Sequence, residues 1–321
     1  MLSPRVLILA GGLSHERDVS LRSGRRVADA LRDAGCEVTV SDLDAEVLET
    51  VLSGRIDMVW PLLHGASGED GAVRDVLELV GVPYLGSAPA ACRLSWDKSV
   101  AKGWARESNI RTPDFVALPH GIFRELGAPR VLKAIVERLG LPLVVKPARG
   151  GSSLGASAVR TPESLPQAMV DCFAYGDVAL VEKHITGVEL SVTVIDTGDG
   201  PRVLPPVEIV PDSDLYDYDA RYTAGSTEFF APARLTDTAL EAVNAMTLAA
   251  HQAFGLRHLS RTDLIVDETG EPWFLEVNVA PGMTETSLVP MAIEAAGLRP
   301  AAVYLQLIEK VLAERTSPAQ T

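Results

Sequence analysis

The stretch from Arg261 to Thr284, Arg-Thr-Asp-Leu-Ile-Val-Asp-Glu-Thr-Gly-Glu-Pro-Trp-Phe-Leu-Glu-Val-Asn-Val-Ala-Pro-Gly-Met-Thr, constrains the chain most. Two apolar arms, Leu264 to Val266 and Trp273 to Leu275, flank turn residues around Gly270, which is the pattern of a β-hairpin. With Glu268 to Glu271 as the turn, Asp263 stands directly opposite Glu276. Asn278 lies two residues beyond Glu276 and points to the same face. Carboxylates facing each other across a ladder repel, and a bound cation removes that repulsion. Asp, Glu and Asn offer only oxygen ligands, which suit Mg²⁺ held jointly with substrate phosphates. The plainer alternative is an exposed hairpin with scattered acids, and the rest of the chain weighs against it.

A length of 321 residues allows two or three units with cores of their own. No apolar run is long enough to span a bilayer, and the first residues read as a strand rather than a signal peptide. A soluble, cytoplasmic protein without a membrane partner is therefore expected. The net charge of -14 argues against a general nucleic-acid binder, which needs a basic face. It does not argue against a nucleotide, for which a local cluster of lysines and glycines is enough. Cys36, Cys92 and Cys172 are far apart and show no metal-ligand spacing, so they read as buried or incidental thiols. The six histidines show no zinc spacing either: His15-Glu16 opens like H-E-x-x-H, but position 19 is Val.

The first sixty residues alternate strand, helix, strand and strand. Arg5 to Ala10 is a strand broken by Gly11-Gly12, and a helix then runs from Ser14 to about Ala34, where Gly35 stops it. Glu37 to Val40 and Met58 to Leu62 are further strands. Such βαβ alternation implies a parallel sheet, with ligand sites beyond the carboxyl ends of its strands. Glu16 and His64 both follow strand ends. Further on, Trp96 to Glu107 reads as one helix and Pro129 to Leu139 as another. Leu141 to Lys146 and Ala156 to Val159 form a hairpin around Gly150-Gly151-Ser152-Ser153-Leu154-Gly155. Residues 205–233 read as a long polar loop, a lid or binding loop by length.

The glycine hairpin lets backbone N–H groups approach an anion, and Ser152 and Ser153 add donors. It is not a Walker A loop, because its lysine, Lys146, precedes the glycines. Taken alone it is equally a tight turn. Followed about a hundred residues later by the Asp263/Glu276/Asn278 face, it completes the two halves of an ATP–Mg²⁺ site. Glu182 and Glu189, beside the next strands, are candidates for polar contacts to base and ribose.

In this order, six motifs resemble those of the D-alanine–D-alanine ligases of the ATP-grasp superfamily. They are Gly11-Gly-Leu-Ser-His-Glu16, His64-Gly-Ala-Ser-Gly-Glu69-Asp-Gly71, Val144-Val-Lys146-Pro with Gly151-Ser-Ser-Leu-Gly155, Pro206-Val-Glu208 with Tyr216 to Tyr222, Arg261-Thr-Asp263, and Glu276-Val-Asn278 with Pro281-Gly-Met-Thr and Ser287-Leu288. The resemblance implies an α/β ATP-grasp fold: an N-terminal parallel-sheet domain over residues 1–97, a central subdomain over 98–186, and a C-terminal subdomain over 187–321 carrying the lid. It implies ATP, two Mg²⁺ ions for which Mn²⁺ substitutes, D-alanine as substrate, and a homodimer.

The same resemblance assigns roles. Asp263, Glu276 and Asn278 hold the metal. Lys98, Lys146, Ser153, Glu182, Lys183, Ile185, Glu189, Arg221 and Phe274 contact the nucleotide. Glu16 anchors the first D-alanine's ammonium, with Ser152 and Tyr222 as its partners. Arg261 and the Gly282 N–H face the oxyanion. His64, Ser287 and Leu288 line the subsites, with Ser287 taking the second carboxylate. Tyr222 points to a dipeptide rather than an ester product. Three residues depart from the family pattern. Arg221 stands for a usual Lys, Gly150 for a residue that is often acidic, and Val279 for a common Thr near the second subsite. A ligase for another D-amino acid, a non-catalytic nucleotide-binding regulator and a biotin-carboxylase-like component are the competing readings. The complete residue set argues against the regulator, and the lack of a carrier segment argues against the last.

Overall fold

A computed structural model describes residues 3–212 and 225–316. Three sheets organise it. The first is parallel, in the order β2-β1-β3, from β1 (Arg5–Leu9), β2 (Glu37–Ser41) and β3 (Met58–Pro61). Val6 to Leu9 are fully buried, because helices cover both faces of a parallel sheet. The helix Arg17–Asp33 approaches this sheet closely at Gly24, where a Cβ would lie 2.5 Å from that of Ala10.

The second sheet is antiparallel, in the order β4-β7-β5-β6, from β4 (Phe115–Pro119), β5 (Leu143–Pro147), β6 (Ser157–Val159) and β7 (Val178–Lys183). The third runs β11-β10-β8-β12-β13. Its strands are β8 (Gly187–Ile195), β10 (Val207–Pro211), β11 (Thr227–Phe230), β12 (Leu259–Asp267) and β13 (Pro272–Asn278), with β9 (Arg202–Val203) paired to β8. A parallel sheet followed by antiparallel sheets is the expected α/β class. The helix Pro300–Thr316 returns to pack on Arg17–Asp33, and Tyr304 meets Trp60 edge-on at 5.4 Å. First and third sheets thereby share one hydrophobic core.

Two expectations change. The helix read from Trp96 to Glu107 starts two residues later, as Lys98–Glu107, and Trp96 instead ends a separate helix, Pro89–Trp96. Asp97 separates them by capping Lys98–Glu107, accepting from the Ser99 and Val100 N–H groups at 3.0 and 3.3 Å. The polar stretch 205–233 is not all loop, because β10 and β11 pair within it, Glu208 opposite Phe230. Its middle, with Tyr216 to Tyr222, lies outside the described residues.

Candidate active site

The hairpin β12–β13 sets Asp263 opposite Glu276 and Arg261 opposite Asn278. The register shifts between Asp263 and Leu264, so Leu264 faces Phe274 and Leu275 is the extra residue of a β-bulge. The bulge separates Phe274 from Glu276, which strict alternation would put on one face. Phe274 is fully buried against Phe254, with ring centroids 5.7 Å apart, and does not line the cleft. Leu275 does. The expected nucleotide contact at Phe274 is thus corrected: its ring is core.

The carboxylate face opens onto two adjoining chambers, of about 1140 and 110 Å³. Glu16, Trp96, Lys98, Gly150, Gly151 and Glu276 line both and form their common wall. The larger holds Lys146, Ser153, Glu182, Lys183, Ile185, Glu189 and Asp263. The smaller holds His64, Ser152, Arg261, Asn278, Gly282, Ser287 and Leu288. Of the described candidates, only Phe274 is outside both; Arg221 and Tyr222 lie outside the described residues.

The facing carboxylates already have counter-charges. Arg261 grips Asp263 with Nε and a terminal nitrogen at 2.8 and 2.7 Å, and Ser191 Oγ donates to the same carboxylate at 3.0 Å. Lys98 Nζ lies 3.2 Å from Glu276 and donates to the Gly150 carbonyl at 2.6 Å. Repulsion across the ladder is therefore relieved in part by the protein's own cations. Asn278 Oδ1 accepts from the Ala280 N–H at 2.8 Å and keeps a second lone pair. The three side chains fit Mg²⁺ by their all-oxygen donor set. Among the described residues no three His, Cys, Asp or Glu side chains form a complete cradle, so an ion here would need its other ligands from phosphate and water.

The glycine hairpin reaches across to the first sheet. Ser152 Oγ donates to Glu16, and both Ser152 and Ser153 sit at left-handed φ, +53° and +55°. Gly150, at φ +127°, is where glycine is the residue that fits, which accounts for its departure from an acidic residue. Val279 is 4% exposed in the cluster around Phe274 and Val277, so the missing hydroxyl concerns the core rather than the second subsite.

His64 is buried between two elements. Its Nδ1 meets the Ala280 carbonyl at 2.9 Å, so Nδ1 carries the proton. Its Nε2 faces Ser23 Oγ at 3.3 Å, and that oxygen accepts from the Met283 N–H. Burial lowers the His64 pKa and outweighs the opposing pull of Glu16, keeping the ring neutral. Ser287 Oγ accepts from the Thr284 N–H at 2.9 Å and begins the helix Leu288–Ala295.

Four groups in or beside the chambers had no assigned role. Glu69 lines the smaller one; burial, then the charge of Glu16, raises its pKa to about 8. Arg160 and Arg234 line the larger one. Arg234 holds Glu208 through two side-chain contacts at 2.6 and 3.0 Å and lies 3.5 Å over the Phe230 ring. Lys102, fully buried, stands behind Glu182. Its signal was in the sequence, one helical turn after Lys98.

Two family models match the chain, D-ala D-ala ligase N-terminus over residues 44–87 and D-ala D-ala ligase C-terminus over residues 105–312. A D-alanine–D-alanine ligase of Desulforudis audaxviator is 41% identical over 295 residues, covering 92% of this chain and 94% of that protein. The crystal structure of the Bacillus anthracis D-alanine–D-alanine ligase complexed with ATP superimposes with a TM-score of 0.81 at 30% identity, over 98% of this chain and 99% of that one. The VanG D-Ala:D-Ser ligase of Enterococcus faecalis gives 0.81 at 26% identity, over 98% and 100%. The matches run along nearly the whole length, and the chain belongs to the D-alanine–D-alanine ligase family, with its ATP-grasp fold.

Proposed function

We propose that this protein is an ATP-dependent ligase that joins two D-alanines into D-alanyl-D-alanine for peptidoglycan precursor synthesis. One observation carries the reading. A nucleotide-sized chamber and a small polar one share a wall made of Glu16, Lys98, the Gly150-Gly151 turn and Glu276. Group transfer between two bound reactants needs such a shared wall.

In this reading ATP occupies the larger chamber, against Lys146, Ser153, Glu182, Lys183, Ile185 and Glu189. A carboxylate oxygen of the first D-alanine attacks the γ-phosphorus, the bond to the β-phosphate oxygen breaks, and ADP leaves. The amine of the second D-alanine then attacks the acyl phosphate carbonyl, gives up a proton to solvent, and expels phosphate. Two Mg²⁺ ions, replaceable by Mn²⁺, would neutralise phosphate charge when bound at Asp263, Glu276 and Asn278. Lys98 and Lys146 oppose the same charge. Glu16, held by Ser152, orients the first ammonium. Arg261 and the Gly282 N–H stabilise the carbonyl oxygen as it gains charge. Ser287 and the Leu288 helix start receive the second carboxylate. His64 acts through the 280–283 segment it braces. A dipeptide product rests on Tyr222 and lid closure on Arg221. The same reading makes the enzyme a cytoplasmic homodimer.

The test is phosphate release from Mg²⁺-ATP with D-alanine, and product identification by mass spectrometry. In parallel, L-alanine replaces D-alanine, and D-serine or D-lactate is added beside it. D-Alanyl-D-alanine from the D-isomer alone is expected. Nucleotide binding without phosphate release would overturn the D-alanine assignment, and a mixed D-alanyl-D-serine product would move it to the second reading.

A further inference from the structure

Behind the cleft floor lies a carboxylate between two ammonium groups. Glu182, on β7, is 2% exposed. Its Oε1 is 2.6 Å from Lys146 Nζ, which reaches the cleft from β5. Its Oε2 is 2.8 Å from Lys102 Nζ, on the helix Lys98–Glu107. Lys102 is fully buried and touches no chamber. It donates to Thr112 Oγ1 at 2.8 Å and lies 3.4 Å from the Phe274 carbonyl. Its link to Glu182 is an ion pair, since Oε2 has no aligned hydrogen-bond donor.

A lone Lys146–Glu182 pair would be neutral, and Lys146 would bring little field to the cleft. Two ammonium groups against one carboxylate leave one net positive charge. A buried lysine is costly unless paired, so its presence here calls for a reason. Burial opposes the ionisation of Glu182, yet the charges of Lys102 and Lys146 overcome it and hold its pKa at about 2. Burial also tends to lower the Lys146 pKa, but the attraction of Glu182 and Glu276 outweighs it and the pKa stays raised.

We propose that Lys102 is a positioning residue of the nucleotide site: it takes up the charge of Glu182 so that Lys146 keeps its own for the phosphates. The inference rests on the ATP reading of the larger chamber. A purely structural lysine would support every ligand equally. A charge-balancing lysine supports ligands in proportion to their phosphate charge.

The experiment titrates the full chain with tripolyphosphate, ADP and adenosine in Mg²⁺ by calorimetry. Lys102→Met is expected to weaken tripolyphosphate and ADP by about tenfold and adenosine by less than about threefold. The double variant Lys102→Met/Glu182→Gln restores the one net charge and should recover tripolyphosphate affinity to within about threefold of the parent. Should Lys102→Met not fold, Lys102→Gln is the second variant: it removes the same charge while keeping a donor toward Thr112 Oγ1, and should weaken tripolyphosphate by about tenfold. Equal weakening of adenosine and tripolyphosphate, no recovery in the double variant, or unchanged tripolyphosphate affinity in a folded Lys102 variant would each overturn the proposal. A parent chain that binds neither ADP nor tripolyphosphate would instead remove the ATP reading beneath it.

Discussion

A methyl group at Gly151 would lie 2.6 and 2.7 Å from the two Glu16 carboxylate oxygens. The next two residues, Ser152 and Ser153, hold left-handed backbone that L residues rarely adopt. Ser152 uses that conformation to reach Glu16. A close approach and two strained residues converge on one carboxylate, which is where such features carry function. Gly151→Ala is expected to push Glu16 or the turn aside and to lower kcat/KM for D-alanine by at least about tenfold, about 1.4 kcal/mol. The melting temperature should barely move, because the turn belongs to no core cluster. Steady-state kinetics beside a melting curve check both; full activity would mean that Glu16 retreats without harm. The glycines and serines of this turn were legible as a tight hairpin between two strands. The positive φ at the two serines was not, because serine has no strong preference for it. Lys102 escaped notice for a related reason, since lysine is by default a surface residue.

At the scale of the element, the hairpin β12–β13 shows how an inference can be right through two compensating differences. The turn lies at Glu268 to Glu271, as read, but Val266 rather than Asp267 pairs with Pro272. That displaces the ladder by one residue, and the bulge at Leu275 displaces it back. Asp263 still faces Glu276. Alternation carries the acidic face and the apolar arms, but a bulge without glycine leaves no trace in composition. Phe274, assigned to the nucleotide by resemblance, falls on the core side of that bulge. Deleting Leu275 should restore regular alternation, with Phe274 still in the core and Glu276 still on the site face. The expected outcome is cooperative unfolding close to that of the parent, with nucleotide affinity reduced several-fold through loss of the apolar wall. Melting and ADP titration read the two effects separately, and a collapsed fold would show that the bulge's added twist is required by the sheet.

Across the whole molecule, three histidines are buried, and two of them, His64 and His258, join parts of the chain that are far apart in sequence. His64 braces the Ala280 to Met283 segment. His251 meets Ser260 Oγ at 2.8 Å. His258 accepts from the Gly86 N–H at 3.0 Å and turns Nε2 to Glu314. Burial lowers the pKa of all three, that of His251 to about 4. A base whose folded pKa is depressed lends stability above its unfolded pKa, near 6.5, and that stability is lost as pH falls toward the folded value. Glu69 works the other way. Burial raises its pKa to about 8, so its contribution is full below its unfolded pKa and fades as pH rises toward 8. Between pH 6.5 and 5 the histidines bind protons on unfolding, while Glu69 releases one. Each group that differs by a whole proton contributes about 1.4 kcal/mol per pH unit, so the histidines prevail and stability should fall on acidification. Urea unfolding at pH 7, 6 and 5 should show a declining midpoint. His251→Gln, which keeps a donor and acceptor toward Ser260 but does not titrate, should flatten the decline. Glu69→Gln should steepen it. A midpoint that stays level across this range in the parent would mean that the three imidazoles together take up on unfolding only about the one proton that Glu69 releases.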